Sequence, residues 1–212
     1  MTYTFKDFYR QITDVIYAHF LWVTVSFLGI LITFGASTTA LYKVIFQVFK
    51  KDEPTHVTSL FFKTFYEEFK ESTCVWLLIV LFAVPIYFMT MYSINVENIF
   101  LLIASIVCIY NLFIFFSYIF PIIAIFESRS MFDTIRNTIL LQNRHLITNI
   151  KLVGSFGLLF LGFIYLPSVF ILLLVPSYGF LIAYHLKAAL NPYIKKMITT
   201  INKGDDYELL KF

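Results

Sequence analysis

IFLLIASIVCIYNLFIFFSYIFPIIAIF, residues 99–126, contains no Asp, Glu, Lys or Arg and is bounded by Glu97 and Glu127. As an α-helix it would extend about 42 Å at roughly 1.5 Å per residue, more than the roughly 30 Å hydrocarbon core of a bilayer. Three other uncharged runs reach similar lengths: Asp14 to Lys43, Glu71 to Glu97 and Lys151 to Lys187. Runs of this length without charge cannot all be packed inside a chain of 212 residues. The fold class they imply is all-α, a polytopic transmembrane helical bundle.

Composition agrees. The chain is 59% hydrophobic and 14% charged with mean hydropathy +0.81, whereas soluble domains are about 45–50% apolar and about 25% charged. There is too little polar surface to cover a water-facing globule. The 26 Phe and 14 Tyr lie mostly in or beside the uncharged runs, which suits lipid contact and helix packing and excludes a basic nucleic-acid surface.

The segmentation follows from length and breakers. Five spans are clear, at about 17–34, 74–94, 99–126, 147–165 and 168–187, and a sixth, shorter segment covers 36–50. Gly35 offers the turn before that short segment. Leu166-Pro167-Ser168 must break the run to Leu186, because one helix of that length would measure about 52 Å. Pro85 and Pro176 are expected to kink their spans. The segment after Gly35 has two readings. Ala36, Ala40, Lys43 and Gln47 share one helical face and Leu41, Val44, Ile45 and Val48 the other, which fits a returning membrane segment or an amphipathic helix at the interface. The returning segment is preferred. Two further amphipathic helices are expected on the cytoplasmic side. One carries Phe61, Phe65 and Phe69 with a Lys63–Glu67 pair, and the other carries Met131, Ile135 and Ile139. Residues 1–190 then form one transmembrane domain, and 191–212 a cytoplasmic tail.

Basic residues give the orientation. Two lie in residues 1–16, five in 36–73, four in 127–151 and five after 186, with none near Glu97 or Pro167. With six segments both termini are cytoplasmic and no basic residue is outside; with five, Lys6 and Arg10 are exported. Six fits better. No A-x-A cleavage pattern follows the first span, which is expected to be retained. The expected location is the cell membrane.

Chemistry-bearing motifs are scarce. His19, His56, His145 and His185 match no metal-ligand spacing, no Gly-rich phosphate loop occurs, and no cofactor is expected. No span carries a mid-membrane carboxylate, as a proton relay or aspartyl protease would require. The chain therefore reads as not an enzyme. Cys74 and Cys108 are expected to be buried free thiols. Gly154, Gly157 and Gly162 are expected to mark close helix packing, as are Ala36-x-x-x-Ala40 and Gly179-x-x-x-Ala183. Ser37, Thr38, Lys43 and Asn111 are the polar residues expected to face the bundle interior, as helix–helix glue or as the lining of a substrate path. Arg136, Asn137, Arg144 and His145 sit on a cytoplasmic connector, where they are topology charges or contacts for lipid phosphates or a partner.

Gly35-Ala36-Ser37-Thr38-Thr39-Ala40-Leu41-Tyr42, after a span bearing Leu21-Trp22, resembles the early signature of YesL-like bacterial membrane proteins. Pro121-Ile122-Ile123-Ala124-Ile125-Phe126-Glu127, followed by Asn137-Thr138-Ile139-Leu140-Leu141 and Arg144-His145-Leu146, resembles that family's second block. The likeness covers most of residues 15–190. It implies a small multi-spanning protein, mainly of Gram-positive bacteria, with no established biochemical function or active site. Lys43 stands where such relatives more often carry a small or apolar residue. The family's genes often lie near carbohydrate-uptake systems, so the resemblance implies an accessory role. The expected partners are then the lipid bilayer, a sugar-transport complex or a second copy, and not nucleic acid. A small transporter or channel with a polar interior is the alternative.

Overall fold

The structure is a computed structural model and describes residues 5–29, 32–49, 56–126, 130–165 and 177–193. Every regular element among them is helical: α1 (Phe5–Leu28), α2 (Thr33–Phe49), α3 (Val57–Glu67), α4 (Phe69–Asn95), α5 (Ile99–Ile125), α6 (Met131–Arg144), α7 (Leu146–Tyr165) and α8 (177–193). The chain divides into two compact units, residues 1–131 and 132–212.

Among the described residues, three helices are long and apolar enough to cross a membrane, fewer than the five or six expected. They are α4, α5 and α7, with hydropathies of 2.3, 2.7 and 1.7 over their most apolar stretches. Only 11%, 17% and 11% of those stretches are buried, so most of their apolar side chains are left uncovered among the described residues. The expected span at 17–34 falls on α1 and the start of α2. Helix α1 begins as far back as Phe5 and carries Asp7, Arg10, Asp14 and His19 along its length. Helix α2 is 17 residues long, at the lower edge of what spans a bilayer. Much of the last expected span, with Pro167 and Pro176, lies outside the described residues, as does most of the tail.

In the first unit, α2 is the hub, packing against α1, α3, α4 and α5. From Ala36 to Ile45 every residue but Lys43 is buried. A helix lying half-exposed at an interface would show a broad solvated face, whereas on α2, from Ala36 to Val48, only Lys43 and Gln47 are half-exposed and the rest are buried. Gly35 is not the turn. Helix α1 gives way at Gly29 and α2 begins at Thr33, and the amides of Ile32 and Thr33 both donate to the Gly29 carbonyl at 2.8 Å. Gly35 lies inside α2, where a side chain would strike α4.

Helix α3 buries Phe61 and Phe65 and exposes Lys63 and Glu67, 3.9 Å apart, as its four-residue period predicts. Helix α4 remains one helix with Pro85 inside it. The α4–α5 hairpin turns on Glu97, whose φ is 53°, and Asn98 caps α5 by accepting from the amides of Phe100 and Leu101 at 3.1 and 3.2 Å. That satisfies two of the unpaired amides at a helix start. Cys74 and Cys108 are exposed, not buried.

In the second unit, α7 and α8 run antiparallel. Phe156 meets Tyr178, Ser155 meets His185, and His145 meets Tyr193. On helix α6 the expected apolar row is split, Met131 and Ile135 being half-buried and Ile139 exposed. The helix buries Thr134, Asn137, Thr138, Leu141 and Gln142 while Phe132, Ile139 and Leu140 are exposed. The four-residue apolar spacing located a helix but did not single out Thr134, Asn137, Thr138 and Gln142 on the face that packs. Gly154 and Gly157 also differ from expectation. Nothing lies within 4 Å of where a side chain would begin at either position, so neither marks a close helix crossing.

Candidate functional site

The stretch from Thr33 to Tyr42, which includes the Gly35–Tyr42 signature, places a row of hydroxyl side chains where α1, α2 and α4 cross. Ser37 Oγ donates to the Phe34 carbonyl at 3.0 Å, one turn back in α2, and so accepts from Ser26 Oγ of α1 at 2.7 Å. Thr38 Oγ1 donates to the same carbonyl at 2.6 Å and accepts the Trp22 indole N–H at 3.0 Å. On the opposite side, Thr39 Oγ1 and Ser72 Oγ of α4 lie 2.7 Å apart. At the turn, Thr33 Oγ1 reaches the Val25 carbonyl at 2.7 Å, and Thr73 Oγ1 donates to the Ile32 carbonyl at 3.0 Å.

Small residues permit this. Ala36 and Ala40 are fully buried, and a methyl at Gly35 would collide with the Ser72 carbonyl oxygen and stand 2.8 Å from Trp76 Cβ. Helix backbones close enough for hydroxyl pairing therefore require this glycine. An aromatic row braces the crossing. The Phe34 ring lies 5.5 Å from Trp22, 4.4 Å from Trp76 and 6.4 Å from Phe116, and so touches α1, α4 and α5. His19 stacks on Trp22 at 5.4 Å. His19 Nδ1 and Trp76 Nε1 are buried without hydrogen-bond partners.

The expected interior residues part company. Ser37 and Thr38 are buried and bonded as above. Lys43 is half-buried, with no hydrogen-bond or ion-pair partner among the described residues. Asn111 does not face the interior. It is exposed on α5, and its amide nitrogen donates to the Val107 carbonyl at 2.9 Å. That bond within its own helix meets a donor's need without a neighbouring helix, which is why the inward prediction failed.

The connector residues also separate. Arg136 is exposed and 3.5 Å from Asp133. Asn137 is buried with its Oδ1 unpartnered. Arg144 is exposed. His145 Nε2 lies 3.3 Å from the Tyr193 hydroxyl, and burial, then the adjacent Arg144 cation, hold its pKa below the ordinary histidine range. Sequence reasoning missed Ser26, Ser72 and Trp76, and in the second unit it missed the pairing of Ser155 with His185 at 3.0 Å. Serines and tryptophans inside apolar runs are too common to single out, and residues 155 and 185 meet only because α7 and α8 are antiparallel.

One described recess, of about 410 Å³, lies between α1 and the start of α3, beside Asp14, Tyr17, His56 and Thr58. Burial raises the Asp14 pKa, against the opposing Arg10 charge. A groove of about 400 Å³ between α4 and α5 is almost wholly apolar. Neither is lined by Ser37, Thr38, Lys43 or Asn111. The hydroxyls at the crossing are spent on one another and on helix carbonyls. Chemically the arrangement is a clamp.

Residues 15–89 match the model of a family described as a protein of unknown function, DUF624. The match takes in the crossing of α1, α2 and α4 and ends before the second stretch on which the YesL-like resemblance rests. It supports similarity to an uncharacterised family, without that name. No curated protein matches the chain, and no solved structure matches it.

Proposed function

We propose that this chain is a non-enzymatic, multi-pass membrane protein that acts by holding a surface for other membrane components. The observation that carries the reading is the mutual satisfaction of Ser26, Ser37, Thr39 and Ser72 at 2.7 Å. Hydroxyls lining a substrate path would be left with free hydrogen-bonding capacity facing that path. Here they join helices, which favours a rigid scaffold over a small transporter or channel. The charge distribution supports six segments with both termini cytoplasmic, α2 being the short returning one. An accessory role beside a carbohydrate-uptake system rests on the family resemblance.

Cys108 tests the membrane placement. It is exposed on α5, so the protein itself does not shield it and only lipid can. In a Cys74→Ser background, a water-soluble maleimide applied to membranes should leave Cys108 unlabelled until SDS is added. Rapid labelling of the folded chain would show that α5 lies in water. For the partner class, cross-linking in cells grown on inducing sugar should recover carbohydrate-uptake components, and their absence would sink the accessory role.

A further inference from the structure

The second unit contains a cluster outside the crossing just described. Lys151 is the last charge before the uncharged run of residues 152–186, and Lys187 is the first after it. Because α7 and α8 are antiparallel, both lysines mark the same end of the pair. Ser155 stands one turn, about 6 Å, further along α7 than Lys151, and its Oγ lies 3.0 Å from His185 Nε2 on α8. Lys151 is near enough to act electrostatically on His185. Between residues 134 and 193 the sequence has no Asp or Glu. Lys151 has no carboxylate partner among the described residues.

A cation at the boundary of an apolar span, beside a hydroxyl and an imidazole and without an acid, suits a phosphate monoanion. The adjoining surface identifies its carrier. On the same face as Lys151, Ile147 is 73% and Leu158 is 73% exposed, and between them Gly154 leaves a notch with nothing within 4 Å of its missing side chain. A free phosphate makes no use of such a strip, whereas a lipid chain lies along it.

We propose that Lys151, Ser155 and His185 bind the phosphate of an anionic phospholipid whose acyl chain runs past Gly154 and Leu158. The site rests on the membrane reading above. In it the Lys151 ammonium donates to the phosphate and Ser155 donates its hydroxyl proton, with His185 Nε2–H donating to Ser155 Oγ.

The full chain, purified in mild detergent and mixed with phosphatidylglycerol and phosphatidylcholine, is read by native mass spectrometry. Wild type should retain phosphatidylglycerol preferentially. Lys151→Gln should weaken that retention about tenfold, the worth of one charge-assisted bond, while leaving phosphatidylcholine unchanged. Lys151→Arg should restore it, and Ser155→Ala should lower it less. Equal retention of the two lipids, or a Lys151→Gln variant that behaves as wild type, overturns the site and leaves the membrane reading intact. Displacement of the lipid by millimolar inorganic phosphate overturns the assignment in favour of a soluble anion. A chain that retains neither lipid and washes from membranes in carbonate overturns both readings.

Discussion

Gly35→Ala adds one methyl group at the point where α2 meets α4. The new carbon would overlap the Ser72 carbonyl oxygen and lie 2.9 Å from the carbonyl carbon and 2.8 Å from Trp76 Cβ. These are backbone or near-backbone atoms and cannot swing aside, so the helices must separate and the Thr39–Ser72 bond one turn away must lengthen. Overpacking of this kind costs about 1–3 kcal/mol, and immobile neighbours place it near the upper end. Alanine's better helix propensity returns about 1 kcal/mol, leaving a net loss of about 2 kcal/mol. For a chain of this size that corresponds to a melting point lower by about 4–8 °C. Gly154→Ala is the matched control: the same methyl meets nothing within 4 Å, so propensity alone acts and the melting point should hold or rise by a few degrees. The assay is thermal unfolding in mild detergent, followed by tryptophan fluorescence and by loss of the monodisperse chromatographic peak. A Gly35→Ala protein that melts with or above wild type would refute the close crossing, and equal losses at both sites would refute its locality.

The hydroxyl clamp predicts coupling. A double-mutant cycle of Thr39→Val and Ser72→Ala should give an interaction of about 0.6 kcal/mol, typical of hydrogen bonds between membrane helices, and additive losses would remove that bond from the account. Trp22→Phe keeps an aromatic ring but deletes the N–H to Thr38 and part of the indole packed on Phe34, so stability should fall by at least about 1 kcal/mol, read by the same melt. His145 titrates below the ordinary histidine range because of burial and then Arg144. Its contribution is therefore present above the unfolded value of about 6.5 and lost as pH falls through the lower folded value. Melting points should drop on acidification from neutral pH, and His145→Gln should flatten part of that slope; identical slopes would contradict the assignment. A cysteine at position 2, in a background lacking Cys74 and Cys108, should resist impermeant maleimide in intact cells. Labelling there would put the N-terminus outside and leave five crossings.

Charge spacing and apolar run length were enough to read the helical class, the bounds of α5 and α7 to within a residue or two, the Glu97 turn and the apolar face of α3. These depend on hydropathy and local hydrogen bonding, which are properties of contiguous residues. Helix periodicity was less informative about which face packs. Met131, Ile135 and Ile139 placed a helix at α6, yet its buried residues are Thr134, Asn137, Thr138, Leu141 and Gln142, which apolar spacing alone does not single out. Asn111 was misplaced because its need for a partner is met by its own helix.

What only the tertiary structure decided lies in the meetings of distant residues. The stretch from Gly35 to Tyr42 could be recognised as small and polar, but its reading as turn, interfacial helix or hub depended on what surrounds it. The answer is the approach of Ser72 and Trp76 across α4 and of Ser26 and Trp22 across α1. Lys151, Ser155 and His185 become neighbours only when α8 runs back along α7. Hydropathy is summed along the chain, so sequence alone was enough to mark α4, α5 and α7 as helices long and apolar enough to cross a membrane. Hydrogen bonds and steric contacts act over a few ångströms between helices, so which polar groups meet one another was decided by packing.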